Sequence, residues 1–312
     1  MNNKARYKYF NLVVRTLIGI ASVFFIYFKI KDSFTIQYQD FISLSINYFF
    51  LFFAFLLSFL NWGLETYKWR FVVLKIQPLD FIPALKIVFT GITLSLITPN
   101  RIGEIPARAY LLKNTVPIAI GIKKNIYATF ISSFSQLLIT LLMGLLGVIY
   151  TLNLIDIHLS NTFIVILTIL ITLLFLMFIF SDKLKKIVLK IFHKEDNLEF
   201  NEIDTLKFLG FSLLRYMVFC LQYLFILEAF GIHFTSFIQL WLIPVCFLLA
   251  SSIPTFVLSE IGVRSSVAIL VFGMLTNNNL SIVLAASLLW IINIGLPATY
   301  GLFFLNQLKI KN

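Results

Sequence analysis

The sequence predicts an all-α polytopic membrane protein with six full transmembrane helices and two oppositely entering re-entrant hairpins, arranged as an inverted repeat. Three observations carry this reading. Of the 312 residues, 60% are apolar and 12% charged, whereas soluble domains run at about 45–50% and about 25%; the mean hydropathy is +0.94. Apolar runs of the ~20 residues that cross a bilayer recur along the chain. Lys and Arg, 25 against 14 Asp and Glu, gather in a few connections, and basic connections stay cytoplasmic.

Full spans are expected at 12–28, 41–62, 126–150, 161–180, 208–230 and 280–305. The first follows Lys4, Arg6 and Lys8. Bulky Phe and Tyr stand where a signal peptide has its small-residue cleavage site, so it reads as an uncleaved span. Two more apolar stretches, 81–112 and 237–276, are interrupted near their middles. Thr98-Pro99-Asn100-Arg101-Ile102-Gly103-Glu104-Ile105-Pro106 breaks the first, and Pro254 with Ser259-Glu260-Ile261-Gly262-Val263-Arg264 breaks the second.

Basic residues settle the orientation. They lie at the amino end (Lys4, Arg6, Lys8, Arg15), in 63–82 (Lys68, Arg70, Lys75), before the third full span (Lys113, Lys123, Lys124), throughout 181–207 and in the tail (Lys309, Lys311). The connections 151–160, 231–236 and 276–279 have none. Both termini are therefore expected in the cytoplasm of a plasma (inner) membrane protein. Stretch 81–112 then enters from the cytoplasm and returns to it, while 237–276 enters from outside and returns there. The chain reads as one integral membrane domain, 1–312, with halves at about 11–150 and about 161–305 of opposite topology.

The hairpin tips match: Glu104-Ile105-Pro106-Ala107-Arg108 beside Glu260-Ile261-Gly262-Val263-Arg264. Broken helices in inverted repeats meet at a midplane site, because irregular backbone survives at that depth only inside protein or along a wet cavity. Their free N–H groups favour an anion. Arg101, Arg108 and Arg264 are the candidate binding residues, since intramembrane charge is costly and a guanidinium fork fits a phosphate. Asn100, Glu104 and Glu260 complete the candidate site. The two glutamates read either as counter-charges to the arginines four residues on or as proton or cation carriers.

Other polar residues have plainer readings. Arg215, two turns into its expected span, snorkels to the cytoplasmic face. Asn61, Gln136 and Asn293 bond between helices. Trp62, Tyr67 and Trp69 form an interfacial belt. The run Lys183, Lys185, Lys186 and Lys190 attracts anionic membrane lipids.

The residues Thr98-Pro99-Asn100-Arg101-Ile102-Gly103-Glu104, then Ala107-Arg108-Ala109-Tyr110-Leu111-Leu112, resemble the Pro-Gly-Arg-x-Gly-Glu…Arg-Ala-x-Leu-Leu signature of the lysylphosphatidylglycerol synthase transmembrane region, a flippase-like family. Trp69-Arg70 and Gly262-Val263-Arg264 resemble two further elements of it, and the resemblance runs through the chain in span order. Asn100 replaces the usual Gly, and Ser259-Glu260 stand where many members have a Gly pair. Ser265 follows the Arg where an acid is frequent, and Ala128-Thr129…Ser132 replaces a Glu-Arg…Asp cluster. The resemblance implies binding or movement of phospholipid or isoprenoid-linked lipid headgroups. Synthase activity is not expected, because the sequence ends at Asn312 without the soluble catalytic domain of aminoacyl-lipid synthases.

An enzyme is not expected from the residues either. His158, His193 and His233 lie in connections, so no buried Ser–His or Cys–His pair can form. Cys220 and Cys246 sit in apolar runs, and no His/Asp metal cluster has ligand spacing. No cofactor and no nucleic-acid partner are expected. The alternatives to a lipid translocase are a secondary transporter of a small anionic solute and an intramembrane lipid-modifying enzyme. The sequence leaves the oligomeric state, homo-oligomer included, open.

Overall fold

A computed structural model of the chain describes residues 46–96, 98, 101–112, 118–151, 169, 172, 202–255 and 257–305. The expected spans 12–28 and 161–180, the basic run from Lys183 to Lys190, and the motif residues Pro99 and Asn100 lie outside the described residues, apart from two isolated positions in the second of those spans.

Every described element is helical. Asn47 opens α1 (Tyr48–Val73), its side chain accepting from the Phe49 N–H at 3.1 Å, which satisfies one of the donors a helix start leaves free. Then come α2 (Phe81–Ser95), α3 (Glu104–Leu111), α4 (Ile118–Thr151) and α5 (Glu202–Ala229). Gly231 terminates α5 in the left-handed region (φ +77°), with the Ile232 N–H bonded back to the Leu227 carbonyl at 3.0 Å, as expected of a glycine past a helix end. After α6 (Phe237–Leu240), α7 (Leu242–Ser252), α8 (Val257–Phe272) and α9 (Asn279–Trp290), one π-helical turn, Ile291–Gly295, leads into α10 (Leu296–Leu305).

Among the described residues, four stretches are long and apolar enough to cross a membrane: Tyr48–Val73, Lys124–Thr151, Ile203–Ala229 and Asn279–Phe304. They correspond to four of the six expected spans, with one correction of consequence. The span expected at 41–62 continues as α1 to Val73, so Glu65, Tyr67, Lys68, Trp69 and Arg70 are helix rather than loop. Lys68 is accordingly buried, not a free topogenic charge. Likewise α5 begins at Glu202, not 208, which places Arg215 near the middle of its span.

The two interrupted stretches are each a pair of helices around a break. In the first, α2 and α3 pack on one another across residues 96–103. Thr98 holds this turn: its hydroxyl donates to the Ser95 carbonyl at 2.7 Å and accepts from the Gly103 N–H at 2.9 Å. Pro106 falls in the first turn of α3, where a missing N–H costs nothing. In the second, the break is confined to the neighbourhood of Pro254. Residues Ser259–Arg264, expected to be part of it, are continuous helix within α8. Ile253 takes the extended conformation (ψ 119°) that a following proline enforces.

Packing couples the two sequence halves by exchange. Among the described helices the most extensive contact is α1 on α5; α2 lies against α10, and α7 against α4. Small residues permit the close approaches. A Cβ at Gly301 of α10 would fall within contact distance of the Thr93 hydroxyl and the Phe89 carbonyl of α2, and Thr93 donates to the Ala298 carbonyl at 2.7 Å. A Cβ at Gly147 of α4 would meet the Trp241 carbonyl at 2.8 Å, just ahead of α7. The main apolar core, which includes Tyr223, Phe247, Ile269 and Leu289, lies among α5, α7, α8 and α9. A smaller one, including Trp69, Val88 and Leu112, lies among α1, α2 and the end of α3.

Candidate functional site

Near the midpoint of each of the four long spans sits a polar side chain: Asn61, Gln136, Arg215 and Asn293. Asn61 donates to the Asn293 side-chain oxygen at 2.8 Å and accepts from Arg215 Nε at 3.0 Å. Asn293 also donates to Gln222 at 2.9 Å and to the Leu289 carbonyl at 3.1 Å. Asn293 lies within the π-helical turn; such single wide turns are frequent at functional sites.

Glu65 is the hub of the first ionic group. Its Oε1 accepts from Arg108 at 2.9 Å, and its Oε2 faces Arg215 at 2.9 Å and Lys68 at 3.1 Å. Arg108 reaches Glu104, four residues earlier on α3, with its other terminal nitrogen. Arg108 is 1% exposed and lies over the Trp69 ring, 5.7 Å from its centroid. Gly91 of α2 makes room for it, since a Cβ there would meet the Arg108 Cγ at 2.7 Å. Arg215 covers Trp62 at 5.6 Å. The two tryptophans expected in an interfacial belt are therefore buried against cations, and Trp69 donates to Thr129 at 3.0 Å.

The second group joins the two breaks. Glu260, in the first turn of α8, accepts from Arg264 Nε and Nη2 at 3.0 and 2.9 Å. Arg101, 159 positions away in sequence, approaches the same oxygen at 3.4 Å. Arg101 is the one non-glycine among the described residues with positive φ (54°), a conformation that costs free energy and persists where the surroundings dictate it.

Three cavities meet at Arg101. One of about 240 Å³ is bordered by Asn61, Gln136, Arg215, Arg264 and Asn293; one of about 180 Å³ by Thr98, Glu260 and Arg264; one of about 420 Å³ by Glu65, Lys68, Arg108 and Arg215. Arg101, Arg264 and Arg215 retain 28, 25 and 21% exposure.

Of the candidates named from sequence, the structure brings Arg101, Glu260 and Arg264 into one group and Glu104 and Arg108 into the other; Asn100 is outside the described residues. Both glutamates face the arginine four residues on. Sequence reasoning missed Glu65 and Lys68, assigned to a loop, and Arg215, assigned to the headgroup region. The spacing Glu65, Lys68 and Trp69, one helical face continuing past an apolar run, was the available signal.

In this arrangement five cations (Lys68, Arg101, Arg108, Arg215, Arg264) face three carboxylates (Glu65, Glu104, Glu260). The sequence profile of the lysylphosphatidylglycerol synthase TM region matches residues 12–299. The chain belongs to that family. As a member of the lysylphosphatidylglycerol synthase TM region family it is a membrane protein, in keeping with its four membrane-length apolar helices. No curated protein and no solved structure matches it.

Proposed function

We propose that this chain binds the phosphate of an anionic lipid between the two broken stretches and carries its headgroup across the membrane, as a flippase-like translocase. The observation that supports this above others is the charge imbalance. Each ionic group holds one cation more than it has carboxylates, beside cavities at the depth of the span midpoints. An uncompensated charge at that depth is unfavourable, so the site is complete only when an anion enters. Arg101 and Arg264, partly exposed and paired with a single carboxylate, take the phosphate. Arg108, enclosed by Glu65 and Glu104, holds α3 against α1. Phospholipid and isoprenoid-linked phosphate headgroups share this chemistry.

The re-entrant, inverted-repeat topology belongs to the same proposal. The breaks enter from opposite faces, both termini are cytoplasmic, and the membrane is the plasma membrane. The exchange of partners supports it: the leading arm of each interrupted stretch lies on the last span of the other half, α2 on α10 and α7 on α4. A two-fold axis in the membrane plane generates that pattern.

Proteoliposomes carrying a fluorescent anionic phospholipid test the function. Wild-type protein should speed loss of inner-leaflet protection from dithionite, and Arg101→Ala and Arg264→Gln should return it to the protein-free rate. Full activity in both variants removes the site assignment. Inactive wild-type protein that binds glycerophosphoglycerol favours the solute transporter instead.

A further inference from the structure

Resting on that reading, we infer that the lipid's acyl chains leave the site sideways, through an opening between the break before α3 and the middle of α4, so that the substrate is a membrane-resident lipid and not a free anion. The largest of these three cavities, about 420 Å³, is lined by two unlike sets of side chains. One is ionic, formed by Glu65, Arg108 and Arg215 on three helices, with Arg101 at the junction. The other is a mainly apolar wall, formed by Ile102 and Ile105 and by Phe130, Phe134 and Leu137 of α4, with Ser133 and Gln136 between them.

That apolar wall continues onto the outer surface. Ile102 is 62% exposed and Leu137 46%, so these lining side chains reach the outer surface. Phe130 and Phe134 stack with ring centroids 5.7 Å apart, making a smooth strip one helical turn long. Depth decides what this opening faces. Leu137 is at the centre of the span Lys124–Thr151, roughly 20 Å from either end at the helical rise. An opening there meets hydrocarbon, not water.

A solute carrier has no use for such an opening. It would leave Arg101 and Arg215 separated from acyl chains only by a gap, with one cation in excess and no water to solvate it. A lipid removes the difficulty in one step. Its phosphodiester charge sits on the guanidinium groups, and its chains run out over Phe134 and Leu137 into the bilayer they never leave. The apolar strip thus assigns the substrate's second half, as the excess charge assigns its first.

The test uses full-length protein in phosphatidylcholine nanodiscs containing trace radiolabelled phosphatidylglycerol, with p-benzoylphenylalanine replacing Leu137 or, as a control at similar depth, Met217 of α5, which is 52% exposed. Photolysis at 137 should capture phosphatidylglycerol at least fivefold above its mole fraction, and capture at 217 should follow the mole fraction. Excess unlabelled phosphatidylglycerol should abolish the enrichment in the otherwise unaltered protein, and Arg101→Gln should reduce it to the level at 217. Capture at 137 equal to that at 217, or enrichment indifferent to both competitor and Arg101→Gln, overturns the portal. If dithionite-detected translocation persists in that case, the translocase reading stands and the chains leave elsewhere. If glycerophosphoglycerol quenches the fluorescence of the tryptophans while position 137 shows no enrichment, the anion site stands and the lipid reading fails.

Discussion

Among the carboxylates of the described residues, Glu65 holds the most cations. Three cations on three helices, Lys68, Arg108 and Arg215, share its two oxygens at 2.9–3.1 Å, and Lys68 and Arg108 are 1% exposed. Removing one partner of a buried ionic group leaves charge uncompensated, at a cost of about 3–5 kcal/mol. Glu65→Gln should therefore lower the unfolding midpoint of the detergent-solubilised protein sharply. Adding Lys68→Met removes one of the stranded charges and should recover part of that loss. Thermal denaturation followed by tryptophan fluorescence checks both, and a double variant no more stable than Glu65→Gln contradicts the hub. The residue was hidden in sequence because apolar content, the usual measure of a span, falls away after Trp62 while the helix does not end until Val73. Lys68 was then counted as an orientation signal. Arg215 was misjudged for the mirrored reason: the polar start of α5 (Glu202, Asp204, Lys207) lies before the apolar run, so its depth was undercounted.

At the scale of elements, glycine positions separate contact from mere flexibility. Gly301 brings α10 onto the backbone of α2, and a Cβ there meets the Phe89 carbonyl, which cannot step aside. Gly301→Ala should cost about 1–3 kcal/mol, read as a lowered denaturation midpoint. Gly63, within α1, has nothing within 4 Å of an added Cβ among the described residues. Gly63→Ala should be neutral or gain up to about 1 kcal/mol from helix propensity. Equal effects at the two sites would remove Gly301 as a close-packing residue. The break before α3 was legible in its Pro, Asn and Gly. That before α8 was overdrawn, because Gly262 reads as a breaker in isolation but sits within an α8 whose neighbouring Val263 is buried in the core. The π-helical turn at Asn293 left no mark in the sequence; within it Asn293 bonds to Asn61, Gln222 and the Leu289 carbonyl.

For the whole molecule, the sequence predicted the class, and described helices occupy four of its six expected spans. The pairing between the breaks was not legible, because Arg101 and Glu260 are 159 positions apart and nothing local links them. The opposed entry proposed for the two breaks makes a separable prediction. With Cys220 and Cys246 replaced, single cysteines at Asn100 and Ser259 should react with an impermeant maleimide from opposite faces of sealed vesicles, 100 from the cytoplasmic side and 259 from outside. Reaction of both from one face would abolish the inverted repeat while leaving the ionic groups as they are.

The exchanged packing also constrains how the chain is made. The Thr93 hydroxyl finds the Ala298 carbonyl 205 residues downstream, and Asn61 finds Asn293 a further 27 residues apart in separation, at 232. During synthesis α2 and α3, carrying Arg108, are made long before α10 exists to cover them. Neither sequence half buries its contact surfaces without the other. Fragments divided within residues 152–160 should be degraded when produced alone and should reassemble only when produced together.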